Sequence, residues 1–107
     1  MNIKIYHNPN CSKSRATLEL IRNAGIEPQI IEYLQTPPDE RTLRELLSQM
    51  NFTAQDLVRE PERFSGCDND EIIATMLREP SLINRPIVVS DKGVRLCRPP
   101  ELVLELL

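Results

Sequence analysis

Apolar and polar positions alternate in Ile3-Lys4-Ile5-Tyr6, the two-residue period of a short strand, and His7-Asn8-Pro9-Asn10 behind it is rich in turn formers. The period then lengthens. Thr17, Leu20, Ile21 and Ala24 fall at i, i+3, i+4 and i+7, which predicts a helix stopped by Gly25 and Pro28. Gln29-Ile30-Ile31-Glu32-Tyr33 predicts a second strand, so the chain opens with a strand-helix-strand unit whose parallel strands are joined by a right-handed crossover. Thr36-Pro37-Pro38-Asp39 signals a helix start, with Leu43, Leu46, Leu47 and Met50 at helical spacing behind it. Thr53 to Val58 and Asn69 to Arg78 predict two more short helices, the second with Ile72, Ile73, Met76 and Leu77 on one face and Pro80 beyond its end. The two-residue period returns in Pro86-Ile87-Val88-Val89 and Val94-Arg95-Leu96-Cys97, which flank Ser90-Asp91-Lys92-Gly93 as the arms of a hairpin. After Arg98-Pro99-Pro100, Glu101 to Leu107 predicts a closing helix.

The order β-α-β, helices, β-β-α is that of an α/β, thioredoxin-like (glutaredoxin-like) three-layer domain with a helical insertion between its β-α-β and β-β-α halves. No linker, repeat or low-complexity segment divides the chain, so residues 1–107 are expected to form one domain. Leu, Ile, Val and Phe fill 31 of 107 positions, well above the roughly 20% below which disorder is expected. No apolar run approaches the roughly 18 residues needed to cross a bilayer, and the first residues lack the pattern of a secretory signal. Three cysteines, Cys11, Cys67 and Cys97, are odd in number and widely spaced, which argues against a disulfide scaffold and for a reducing, cytoplasmic compartment. A monomer without nucleic-acid or membrane partners is expected.

Charge refines this picture. The formal net charge of −3 disfavours general nucleic-acid binding, because a phosphate backbone rewards a basic surface. Its distribution says more: residues 39–79 hold ten acids and five bases, whereas Lys4, Lys13, Arg15 and Arg22 face only Glu19 in residues 1–22. Arg85, Lys92, Arg95 and Arg98 likewise face only Asp91 in residues 81–98. Two positive segments bracket an acidic middle, and ten of the thirteen bases are Arg, whose rigid fork suits a small oxyanion.

Cys11 stands between the strand-and-turn and the first turn of the helix, where the unpaired amides of Ser12, Lys13 and Ser14 can point at its sulfur. Helix starts and nearby cations lower a thiol pKa from about 8.5, producing the nucleophilic thiolate. His7 adds to this either as imidazolium or as a donor through one ring nitrogen. The plain alternative is a small buried hydrophobe, the common fate of a lone Cys. Ser14 occupies the position where a dithiol oxidoreductase has its second Cys, so the motif is monothiol. Arg15 is too close to Cys11 for a cysteine-phosphatase loop, and although His7 and Cys11 are four apart, Cys67 and Cys97 form no close ligand pair to complete a zinc site, so no metal is expected. The catalytic candidates are Cys11, His7 and Ser14; Cys67 and Cys97 read as incidental. Arg85 precedes Pro86 at a strand start, a candidate cis bond that in a thioredoxin-like fold places the preceding residue beside the active cysteine. Arg98 ends the other hairpin strand, while Arg59 sits among acids, with Glu60 and Glu62 available to neutralise it.

Tyr6-His7-Asn8-Pro9-Asn10-Cys11-Ser12-Lys13-Ser14-Arg15, Pro28 to Leu34, Leu82-Ile83-Asn84-Arg85-Pro86-Ile87-Val88-Val89 and Arg95-Leu96-Cys97-Arg98-Pro99-Pro100-Glu101 together resemble the glutaredoxin-dependent arsenate reductases. The likeness covers almost the whole chain. It implies that Cys11 attacks arsenate, that His7 tunes it, and that Arg59, Arg85 and Arg98 hold the oxyanion. It also implies a covalent thioarsenate, reduction by glutathione as co-substrate, resolution of the mixed disulfide by glutaredoxin, and no bound cofactor. Between Arg59 and Leu82 this chain is several residues shorter than such enzymes, so Arg59 is the least secure of the three. Two rivals share the scaffold: another glutathione-dependent thiol reductase, and an Spx-like transcription regulator that binds RNA polymerase, against which Ser14 argues because those proteins often carry a Cys-x-x-Cys switch.

Overall fold

β1 (Lys4–His7) is one of the two inner strands of a four-stranded sheet of order β2-β1-β3-β4, in the computed structural model, which describes residues 2–107. Its neighbours are β2 (Gln29–Glu32) and β3 (Ile87–Ser90), with β4 (Gly93–Leu96) outermost beyond β3. β1 runs parallel to β2, with Ile5 opposite Ile30 and His7 opposite Glu32, and antiparallel to β3, with Ile5 opposite Val88. A parallel pair needs a crossover, which α1 (Ser12–Asn23) supplies. β3 and β4 need only a tight turn: Ser90 pairs with Gly93, and the Lys92 amide donates to Ser90 Oγ at 3.1 Å. Gly93 takes φ +144° there, a conformation that favours glycine.

Each strand is displaced by about a residue from its expected span. His7 closes β1 rather than opening the turn, Tyr33 falls beyond β2, and the hairpin arms shift outward from Pro86 and Cys97. Ladder pairing sets these limits, and Pro86 has no N–H to offer it. In α1 the buried stripe is Ser14, Thr17, Leu18 and Ile21, so Leu18 takes the place expected of Leu20, and Ala24 is exposed. Two polar residues can occupy that stripe because their hydroxyls are satisfied locally: Thr17 Oγ1 donates to the Lys13 carbonyl at 2.8 Å, and Ser14 bonds to the turn before the helix. Gly25, at φ +82°, ends α1 in a Schellman pattern, its N–H on the Arg22 carbonyl and that of Ile26 on the Ile21 carbonyl.

The chain divides into two compact units. The first, through Thr36 and again from Arg85 to Leu107, holds the sheet and α1. Ile3, Ile5, Leu18, Ile21, Val88, Cys97, Val103 and Leu106 form its apolar core, where each fully buried aliphatic side chain contributes about 1.5–3 kcal/mol. The closing helix is 3₁₀, Pro100–Leu106, rather than α. Its buried residues, Val103 and Leu106, are three apart and eclipse on the three-residue turn of a 3₁₀ helix. An Arg95–Glu105 ion pair at 2.8 Å ties it to β4.

The second unit, Pro37–Asn84, contains α2 (Glu40–Met50), α3 (Ala54–Leu57) and α4 (Asn69–Arg78), with 3₁₀ turns at Pro61–Phe64 and Pro80–Leu82. Asp39, Thr53 and Asp68 cap the three helices by accepting from the Thr42, Asp56 and Glu71 amides. The helix expected over Thr53 to Val58 is shorter because Thr53 is its cap and Val58 leaves to form an antiparallel bridge with Ile83. Arg44 joins α2 to α4 by donating to Glu40 at 3.0 Å and Asp70 at 2.9 Å. Among the described residues no helix is long and apolar enough to cross a membrane.

Candidate active site

Between the end of β1 and the start of α1 the chain makes one tight turn. The Cys11 N–H donates to the Asn8 carbonyl at 3.0 Å and closes it. Inside it the Asn10 N–H donates to Asn8 Oδ1 at 2.9 Å, and Arg15 reaches back from α1 to donate through Nη1 to the Pro9 carbonyl at 2.8 Å. Cys11 emerges as the N-cap of α1, extended at φ −101° and ψ 122°, and half-buried. Its side chain makes no cap bond of the kind a Ser or Asp oxygen makes, since a neutral thiol is a weak acceptor. The thiolate is another matter. Burial by itself would push the Cys11 thiol up, but hydrogen bonding to the Ser14 amide, the Arg85 side chain and the Lys13 amide, together with the Arg85 charge, outweighs it and brings the group down to about 7.

His7 and Ser14 sit directly behind this turn, both buried. His7 Nδ1 is 2.6 Å from Ser14 Oγ, and the same hydroxyl accepts the Asn8 N–H at 3.1 Å. Burial holds His7 below its ordinary value, with the charges of Arg22 and Arg15 acting the same way and that of Glu32 opposing them. The ring is therefore neutral at neutral pH, which leaves His7 a hydrogen-bonding role at Ser14 rather than that of an imidazolium.

Arg85 is half-buried just before β3, and its guanidinium is the cation that acts on Cys11. Arg98, also half-buried, follows β4 and donates through Nη1 to the Arg85 carbonyl at 2.9 Å. The Arg85-Pro86 and Arg98-Pro99 peptide bonds are both cis. The first unit thus brings together Cys11, His7, Ser14, Arg85 and Arg98. Arg59 belongs to the second unit, exposed, with its N–H on the Leu82 carbonyl at 2.8 Å. Cys97 is a core residue whose thiol burial pushes up to about 12, and Cys67 is exposed on the second unit.

The helix start after β1 thus carries a cysteine on which an arginine acts from just before a cis-proline. Residues 6–106 match the family model described as the ArsC family. The chain belongs to the ArsC family. It is 51% identical over 114 residues to a protein named arsenate reductase from Escherichia coli (strain K12), an alignment that covers 99% of this chain and 81% of that protein. It is 43% identical over 113 residues to the uncharacterized protein YfgD of the same organism, covering 97% of this chain and 95% of that one. A solved structure of an arsenate reductase from Vibrio cholerae matches with a TM-score of 0.91 at 43% identity, covering 100% of this chain and 98% of that one. The mixed four-stranded sheet with its helices is thus the α/β, thioredoxin-like fold shared with that solved structure.

One residue of the turn escaped the sequence reading. Asn8 was grouped with the turn formers, yet it is buried and supplies an amide, a carbonyl and a side-chain oxygen to three different partners. The signal was present: Asn followed by Pro is the usual opening of a turn whose first side chain bonds the backbone two residues on.

Proposed function

We propose that the protein is an arsenate reductase of the glutathione/glutaredoxin class. The observation that carries this is the thiolate-favouring setting of Cys11, with the Ser14 and Lys13 amides and the Arg85 guanidinium acting on one sulfur. An anionic nucleophile meets an anionic substrate only where fixed positive potential offsets their repulsion, and these groups are preorganised to supply it. The Cys11 thiolate attacks As(V), one arsenate oxygen leaves as water, and a sulfur–arsenic bond forms. Reduction to As(III) takes two electrons, the number released when two thiols join as a disulfide. The second thiol is that of glutathione, and glutaredoxin resolves the mixed disulfide as arsenite leaves. Arg85 and Arg98 hold the oxyanion through their forked N–H groups. His7 and Ser14 keep the turn and helix start in register around the sulfur. Glutathione is a co-substrate, no bound cofactor takes part, and the whole chain works as a cytoplasmic monomer.

The test is coupled turnover. Arsenate should drive consumption of reducing equivalents only when glutathione and glutaredoxin are both present, and Cys11→Ser should abolish it. A folded wild-type protein with no arsenate-dependent rate overturns the proposal, and a rate with thiol substrates alone assigns the chain to other glutathione-dependent reductases.

A further inference from the structure

Asn8 lies outside the set of residues to which chemistry was assigned, although it is only 6% exposed and sits at the centre of the turn that delivers the nucleophile. Its two backbone polar groups and its side-chain oxygen each bond a neighbour in that turn or in the helix start. The N–H donates to Ser14 Oγ at 3.1 Å, the carbonyl accepts the Cys11 N–H at 3.0 Å, and Oδ1 accepts the Asn10 N–H at 2.9 Å. Any residue except proline can make the first two bonds. Only the third needs this side chain, because its acceptor is the side-chain oxygen Oδ1. The Pro9 carbonyl, between them, is the group that Arg15 grips from α1 at 2.8 Å. The turn is thus fixed from both sides, and its last residue is Cys11.

We infer that Asn8 is a positioning residue for the nucleophile: its side-chain oxygen locks the turn so that the Cys11 sulfur stays over the Ser14 and Lys13 amides and beside Arg85. The inference rests on Cys11 being the reactive thiol of the proposed function. When the lock is lost the turn samples more backbone states, the thiolate spends less time with both amides, and the sulfur becomes more basic. Hydrogen bonds direct this effect, so it is a property of the free protein and needs no arsenate.

The experiment follows thiolate absorbance of Cys11 against pH in the wild type, Asn8→Ala and Asn8→Asp, with Cys11→Ser as the blank. The expected result is an upward shift of the midpoint by about half a unit or more in Asn8→Ala, which corresponds to a roughly threefold smaller thiolate fraction below the midpoint. Asn8→Asp keeps the acceptor oxygen but adds a negative charge near the sulfur, so it should fold with its Asn10 amide still protected from exchange. In turnover assays the Asn8→Ala defect should be largest in the acid range and shrink as pH rises, whereas a loss of fold alone would lower the rate at every pH. A folded Asn8→Ala protein with an unmoved midpoint overturns the inference. Should Asn8→Ala fail to fold, hydrogen exchange in the wild type decides: an Asn10 amide protected about tenfold or more supports the lock, and one that exchanges like an open amide overturns it. Because the titration uses no substrate, failure here is distinct from failure of arsenate turnover.

Discussion

At the scale of single residues, the sulfur of Cys11 responds to three groups at once, the Ser14 and Lys13 amides and the Arg85 side chain, and its pH behaviour follows with a definite sign. The folded pKa, about 7, lies below that of a thiol in an unfolded chain, roughly 8.5. Ionisation therefore favours the folded state: the contribution is complete above the unfolded value and is lost as pH falls through about 7. Denaturation midpoints of the wild type and Cys11→Ser should accordingly diverge as pH rises from about 7 to about 8.5, and a constant difference across that range contradicts a thiolate held by its surroundings. Arginine at position 85 has a second duty beside its charge, since a planar fork donates two directed bonds and an ammonium does not. Arg85→Lys should lower kcat/KM for arsenate about tenfold or more, the loss of one hydrogen bond to a charged group. Unchanged saturation kinetics would remove Arg85 from the substrate site. The monothiol pattern was readable in the sequence because residue type and spacing alone state it. The Asn8 and Ser14 bonds were not, since they depend on where a turn folds back on a helix.

At the scale of elements, most starts and stops were written in local chemistry. Asp39, accepting the Thr42 amide at 2.8 Å, caps α2, and Asp39→Ala should cost about 1 kcal/mol of stability in chemical denaturation. In α1, Ile21 is fully buried and Ile21→Ala should cost about 2–5 kcal/mol, whereas Leu20→Ala, on a half-buried neighbour, should cost less. Equal losses at both positions would contradict the rotated stripe. That rotation marks where sequence patterning stops: a count of apolar residues selects Leu20 and Ala24, and it cannot know that Ser14 and Thr17 are satisfied well enough to be buried in their place. The last helix shows the same limit. Its composition reads as helical, and nothing in that composition separates the 3₁₀ form from the α form.

At the scale of the whole molecule, the order of strands and helices was readable from periodicity and turn residues, and that order is what sets Cys11 and Arg85 against each other. β1 and β3 lie side by side and antiparallel, so the turn that follows β1 and the residues that precede β3 come to the same end of the sheet. The remaining thiols are dispersed by the same fold, Cys97 into the core of the first unit and Cys67 onto the surface of the second. Reduction of arsenate at a single protein thiol is the central claim, and the most direct measurement is steady-state turnover of Cys67→Ser/Cys97→Ala, in which Cys11 is the sole cysteine. With arsenate, glutathione and glutaredoxin supplied, this variant should sustain many turnovers at close to the wild-type rate. A folded variant that stops after one turnover, or shows no rate at all, would mean that a second protein thiol takes part and would contradict the monothiol mechanism.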